Sequence, residues 1–201
     1  FYNFTTPEFN VNICQIPFWT LTVYYFWQCL KDDKVQNWIL LGLFAALGVL
    51  SKYLFLYLLI GIVAFFIFRL IKNKKFHRKI FFSISIFLLV LSPHIMWLFE
   101  NDFRTITYGL QRTKLDEGNF LNHLLYPLKF TLKQIGILIP FFVLLSLIVS
   151  KFKFKLNIRD EKLVFLASTT LVPIILMLLT SLIFGANIRT MWMTPFYLFF
   201  G

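Results

Sequence analysis

Apolar residues run through this chain in blocks of about 17 to 22, separated by short polar or basic stretches, and the longest block sets the pattern for the rest. From Trp38 to Leu70 the sequence is almost continuously apolar, broken only by Ser51-Lys52. Read as one helix at about 1.5 Å per residue, Trp38 to Phe68 would measure roughly 46 Å, well beyond a hydrocarbon core of about 30 Å. A single crossing would also leave Lys52 near the bilayer midplane, where a cation costs at least about 2.5 to 3.5 kcal/mol. Splitting the run at Ser51-Lys52 removes both difficulties. It predicts two helices, Val35 to Ser51 and Tyr53 to Leu70, forming a hairpin with the cation at its tip.

The same pattern predicts further spans at Ile13 to Leu30, Ile80 to Phe99, Leu128 to Val149 and Leu163 to Phe184, with a last one beginning at Met191. Ser92-Pro93-His94 places a kink in the second half of the fourth span. Residues 100 to 126 form the longest polar connection, in which Leu121, Leu124 and Leu125 at helical spacing predict a piece lying in the membrane interface. The expected fold is therefore all-α, a single polytopic bundle over residues 1 to 201 with six full spans and the start of a seventh. The sequence reads as an internal fragment, cut at both ends.

Composition agrees: 59% of residues are hydrophobic and 20% aromatic, with a mean hydropathy of +0.75. The net charge of +11 could suggest nucleic acid, but its distribution argues otherwise. Arg69, Lys72, Lys74, Lys75, Arg78 and Lys79 share one short loop without an acid, and Lys151, Lys153, Lys155, Arg159 and Lys162 share another with only Asp160 and Glu161. That is the positive-inside pattern, so both loops are expected in the cytoplasm, in contact with anionic lipid, and no nucleic-acid partner is expected. The loops at 51 to 53, 100 to 126 and 185 to 191 then share the outer face, which gathers Glu8, Lys52, Asp102, Arg112 and Arg189 there.

Lys52 and Arg189 are placed to hold a phosphate head group, one as a point charge and the other as a bidentate fork. Either could equally anchor a helix end at the interface. His94, after the kinking proline, could bond a phosphate or sugar, and Tyr53, Tyr108 and Trp192 could stack on a sugar ring or a lipid. Glu8, Glu100 and Asp102 are the outer carboxylates nearest to helix ends, where one could take a proton from an acceptor hydroxyl. Cys14 and Cys29 lie roughly 22 Å apart along one predicted helix, too far for a disulfide. No metal-ligand spacing, glycine-rich phosphate loop or nucleophile elbow occurs, so neither metal nor cofactor is expected. The ionisable residues gather at one face and no internal repeat is visible, which weighs against the rival reading of a lipid-linked-sugar flippase or secondary transporter.

Three stretches in order carry a resemblance: Trp38 to Tyr53, Ser92-Pro93-His94 to Phe103, and Arg189-Thr-Met-Trp192-Met-Thr-Pro195. Together they resemble the integral-membrane glycosyltransferases of the C-type fold, bacterial relatives of the protein O-mannosyltransferases and of the lipid A aminoarabinose transferase. The resemblance implies a polyprenyl-phosphate-linked sugar donor, transfer with inversion, a lipid, glycan or protein acceptor, and an active face on the periplasmic side of the bacterial inner membrane. It implies that the main catalytic acid lies upstream of Phe1, and that Lys52 and Arg189 face the lipid-phosphate site. Many such relatives carry an aspartate just before the helix that here begins near Ile13; this chain has Asn10 and Asn12.

Overall fold

The computed structural model describes residues 9–74, 76–113, 120–149 and 160–199, and these are helical or loop throughout, with no strand among them. The helices are α1 (Val11–Asp32), α2 (Val35–Ser51), α3 (Leu56–Asn73), α4 (Ile80–Glu100), α5 (Arg104–Arg112), α6 (Asn122–Val149) and α7 (Glu161–Phe184). Two 3-10 segments, Tyr53–Phe55 and Thr190–Tyr197, complete them. Glu8, the segment 114–119 and most of the second basic loop lie outside the described residues.

The helix ends follow from local chemistry. Asn10 caps α1 by accepting a 2.9 Å bond from the Asn12 amide, and Asp33 closes it in the left-handed region, its amide donating to the Cys29 carbonyl at 3.1 Å. Asp160 caps α7 through the Lys162 amide at 3.0 Å, and Gly185, at φ 63°, ends it. Between α2 and α3 the break falls on Lys52, whose extended backbone (φ −169°, ψ 135°) stops one helix before the 3-10 turn starts the next.

Four segments are long and apolar enough to cross a membrane, Tyr53–Asn73, Ile80–Glu100, Asn122–Ile148 and Glu161–Phe184, and α2 is a shorter apolar helix. Their outward faces carry large apolar side chains with about half their surface exposed, among them Val63, Leu88, Leu132 and Ile175. A protein in water rarely leaves so much contiguous apolar surface uncovered, whereas lipid accepts it. The chain is an all-helical, multi-pass membrane protein.

Packing departs from the predicted hairpin. Although Lys52 does sit at a tip, α2 and α3 do not lie together: α2 packs against α1 and α4, and α3 packs against α7. Close approach explains the choice. A Cβ on Gly42 would run into the Ser83 backbone of α4, and one on Gly61 into the Ser168 carbonyl of α7, so each helix meets its partner backbone to backbone where a glycine permits it. The core between α1, α3 and α7 is aromatic, with Phe65 packed against Phe26 and Phe165 at ring distances of 6.1 and 5.2 Å.

Two further expectations differ. The interfacial piece at Leu121, Leu124 and Leu125 is not separate from the span at Leu128, because α6 runs unbroken from Asn122 through Pro127 and Pro140. Met191 does not open a regular span within the described residues. Thr190–Tyr197 is a 3-10 segment, buried from Met193 to Tyr197, and the Phe196 ring rests 4.9 Å from Trp19 of α1. Pro195, which lacks an amide hydrogen, suits this tighter turn better than a helix interior.

Candidate functional site

The N-terminus of α1, the α2–α3 junction, the C-terminal part of α4, and the chain after Gly185 meet at one end of the bundle. Lys52 is at their centre. Its half-buried side chain turns inward, Nζ donates a short hydrogen bond to Asn12 Oδ1, and the ammonium stands 4.8 Å from the centre of the Trp192 ring. No carboxylate among the described residues pairs with it. Lys52 lies between α2 and the span that begins at Tyr53, outside the membrane-crossing segments. Burial, with a smaller contribution from the Arg112 charge, pushes its pKa down from 10.5 to about 7.

Asn12 decides the electrostatics. An aspartate there would cancel the lysine charge, whereas the amide oxygen satisfies a donor and leaves the charge in place. Lys52 therefore keeps a positive charge that no described carboxylate offsets.

Tyr53 extends the site sideways. Its hydroxyl shares 2.7 Å hydrogen bonds with His94 Nε2 and with Thr105 Oγ1, joining the start of the α3 span to α4 and α5. His94 stacks on Trp97 with ring centres 5.9 Å apart. A 2.8 Å bond from the Asn187 amide to the Thr113 carbonyl ties the end of α5, and with it Arg112, to the segment after α7.

The structure thus brings together Lys52, Trp192, Tyr53 and His94. Arg189 lies three residues before Trp192, whose amide donates to the Arg189 carbonyl at 3.0 Å, and it is exposed. Asp102 is exposed in the turn between α4 and α5, with a left-handed backbone (φ 49°), and does not enter the cluster. Glu8 precedes the described residues. Sequence reasoning did not identify Asn12 as the partner of Lys52, nor Arg112 as the second charge acting on it. The signals for Asn12 were a polar residue on the first turn of an apolar helix, which reads equally well as a cap, and its place in a stretch where related enzymes carry an aspartate; neither pointed to Lys52.

Residues 1–97 match the family model for dolichyl-phosphate-mannose-protein mannosyltransferases. No curated protein and no solved structure matches the chain. The match covers just under half of the chain and, over those residues, supports the resemblance to the C-type membrane glycosyltransferases. The matched region contains Asn12, Lys52, Tyr53 and His94 and stops before Arg189 and Trp192.

Proposed function

We propose that this chain carries the phosphate-holding part of a membrane glycosyltransferase that uses a polyprenyl-phosphate-linked sugar on the periplasmic face of a bacterial inner membrane. The observation that carries the proposal is an inward-turned lysine with no acidic partner among the described residues, held between Asn12 and Trp192. In this reading an acceptor hydroxyl from a lipid, glycan or protein attacks the anomeric carbon from the side opposite the phosphate, which inverts that centre. The bond from carbon to phosphate oxygen breaks, its electron pair stays on the phosphate, and the acceptor proton passes to a carboxylate base.

The donor is a phosphodiester with one negative charge and the departing polyprenyl phosphate gains a second. A fixed ammonium therefore interacts more strongly with the transition state than with the donor, and that difference accelerates transfer. Tyr53 and His94 would orient the phosphate or the sugar, Trp192 would supply a ring face, and Arg189 would meet the phosphate from the rim.

In the full-length protein, Lys52→Ala is expected to lower kcat for sugar transfer by about 10²-fold or more, the scale of losing one preorganised donor of charge stabilisation, with membrane insertion unchanged. Transfer at the wild-type rate in that variant would remove Lys52 from the site and the proposal with it.

A further inference from the structure

Below Asn12, the same side of α1 carries three more polar groups. At 100° per residue, Asn12, Gln15, Trp19 and Thr22 fall within an arc of about 80°, and they descend about 15 Å into the bundle. Gln15, Trp19 and Thr22 have no exposed surface (0%). The Gln15 amide nitrogen and oxygen, the Trp19 indole nitrogen and the Thr22 hydroxyl all lack a hydrogen-bond partner.

Thr22 is especially informative. Thr20, Thr131, Thr169, Thr170 and Thr180 each satisfy their hydroxyl on the carbonyl four residues back, and Thr22 does not. A buried donor or acceptor without a partner is strongly unfavourable, and four such atoms in one column call for a shared occupant. The facing elements supply apolar rings, Phe55 at 5.5 Å and Phe196 at 4.9 Å from the Trp19 ring.

We infer that Gln15, Trp19 and Thr22 form an internal hydroxyl-binding column that runs inward from the Asn12–Lys52 contact and takes O–H groups from ordered water or from the sugar of a phosphate-linked donor. The chemistry fits either source. Gln15 can donate and accept at once, Trp19 only donates, and Thr22 can do both, which matches a hydroxyl's own pairing of one donor with two acceptor lone pairs. Water would fill the column in the resting protein. A sugar would enter it from the Lys52 end, and that source alone rests on the donor chemistry proposed above.

The test uses the full-length protein in lipid nanodiscs and three conservative variants: Gln15→Leu, Thr22→Val and Trp19→Phe, the last removing the indole N–H while keeping an aromatic ring. Melting temperature is measured without ligand, with dolichyl phosphate, and with dolichyl phosphate mannose. If water fills the column, each variant melts several degrees lower without ligand, because the occupant loses a partner. If only the sugar fills it, the resting melting temperature holds or rises, and the extra stabilisation by the mannose-bearing lipid over dolichyl phosphate disappears. The inference is overturned if all three variants keep or raise the resting melting temperature and keep that increment. Should Gln15→Leu fail to fold, Thr22→Val and Trp19→Phe give the same reading. Dolichyl phosphate alone reads the phosphate seat: if it does not stabilise the wild type, the proposed function fails, and the resting melting temperatures decide the column by themselves.

Discussion

The Lys52 ammonium must be protonated to hold a phosphate, and its pKa of about 7 turns that requirement into a pH profile. At pH 6 about nine-tenths of the free protein carries the charge, at pH 8 about one-tenth, and at pH 9 about one-hundredth. A phosphodiester donor keeps one negative charge across this range, so the donor itself does not titrate. Measured below saturation, kcat/KM for transfer from a polyprenyl-phosphate sugar should fall about tenfold between pH 6 and pH 8, and about ninefold again by pH 9. The sign follows from the cause: desolvation, and secondarily Arg112, disfavour the charged form, so the active form is lost as pH rises through 7. Lys52→Arg replaces the amine with a group that stays charged throughout and should flatten the profile, whatever it does to the absolute rate. Arg112→Gln removes the like charge and should move the inflection upward. A flat wild-type profile between pH 6 and pH 9, or a fall that persists in Lys52→Arg, would refute the assignment.

Asn12→Asp places a carboxylate against Lys52; it should raise the inflection by about 1 to 3 pH units and weaken donor binding at pH 7, read as a higher KM, since the seat is then already neutralised. Gly42→Ala forces a methyl group into the Ser83 backbone, and its cost of about 1 to 3 kcal/mol should appear as a lower melting temperature and folded yield; wild-type stability would contradict the close approach of α2 and α4. At the opposite end, desolvation raises the Asp33 carboxyl, but hydrogen bonds from Trp38, His77 and Lys79 outweigh it and hold the group below its usual 3.8. Its contribution to stability is therefore present above about pH 4 and lost as pH falls through the lowered value, because the unfolded chain then binds more protons. Asn adopts the left-handed backbone of position 33 (φ 49°) readily, so Asp33→Asn should lower the melting temperature at pH 7 and remove this acid-side loss.

Much of the helical layout is legible in residue order because lipid sets span lengths. Val35–Ser51 matches its expected bounds since Lys52 cannot sit at depth, and the basic loop after α3 ends that helix close to the expected residue. Helix partners are less legible. Adjacency suggested that α2 and α3 pair, yet Gly42 and Gly61 select α4 and α7 instead, and a glycine in an apolar run does not say which backbone will approach it. The Thr190–Tyr197 segment misleads for a related reason: its apolar composition suits lipid and protein interior equally, and only the Trp19–Phe196 contact shows which it meets. In the site, Lys52, Tyr53 and Trp192 stand out because polar or ring-bearing groups cluster at predicted helix ends, and His94 because it follows a kinking proline. Asn12 does not, because an amide carries no charge pattern to read.

The two ends of the bundle are wired differently, and the contrast bears on function. The ion pairs among the described residues lie at the Asp33 end: Arg69 with Glu161 at 2.8 Å, Lys34 with Asp32 and Lys79 with Asp33, joined by a 3.3 Å hydrogen bond between His77 and Asp33. There the basic residues stitch α3 to α7 and the loop before α4 to the α1–α2 turn, which is structural work. At the other end, Glu100 and Asp102 are available in sequence, yet no described ion pair forms, and the half-buried Lys52 is given an amide and a ring instead. Selection for stability alone would favour an acid at position 12, or an apolar side chain at 52, because removing a buried charge is often stabilising. Keeping the charge and withholding its counter-ion is a cost without a structural return, and it makes sense where the missing partner arrives with the substrate.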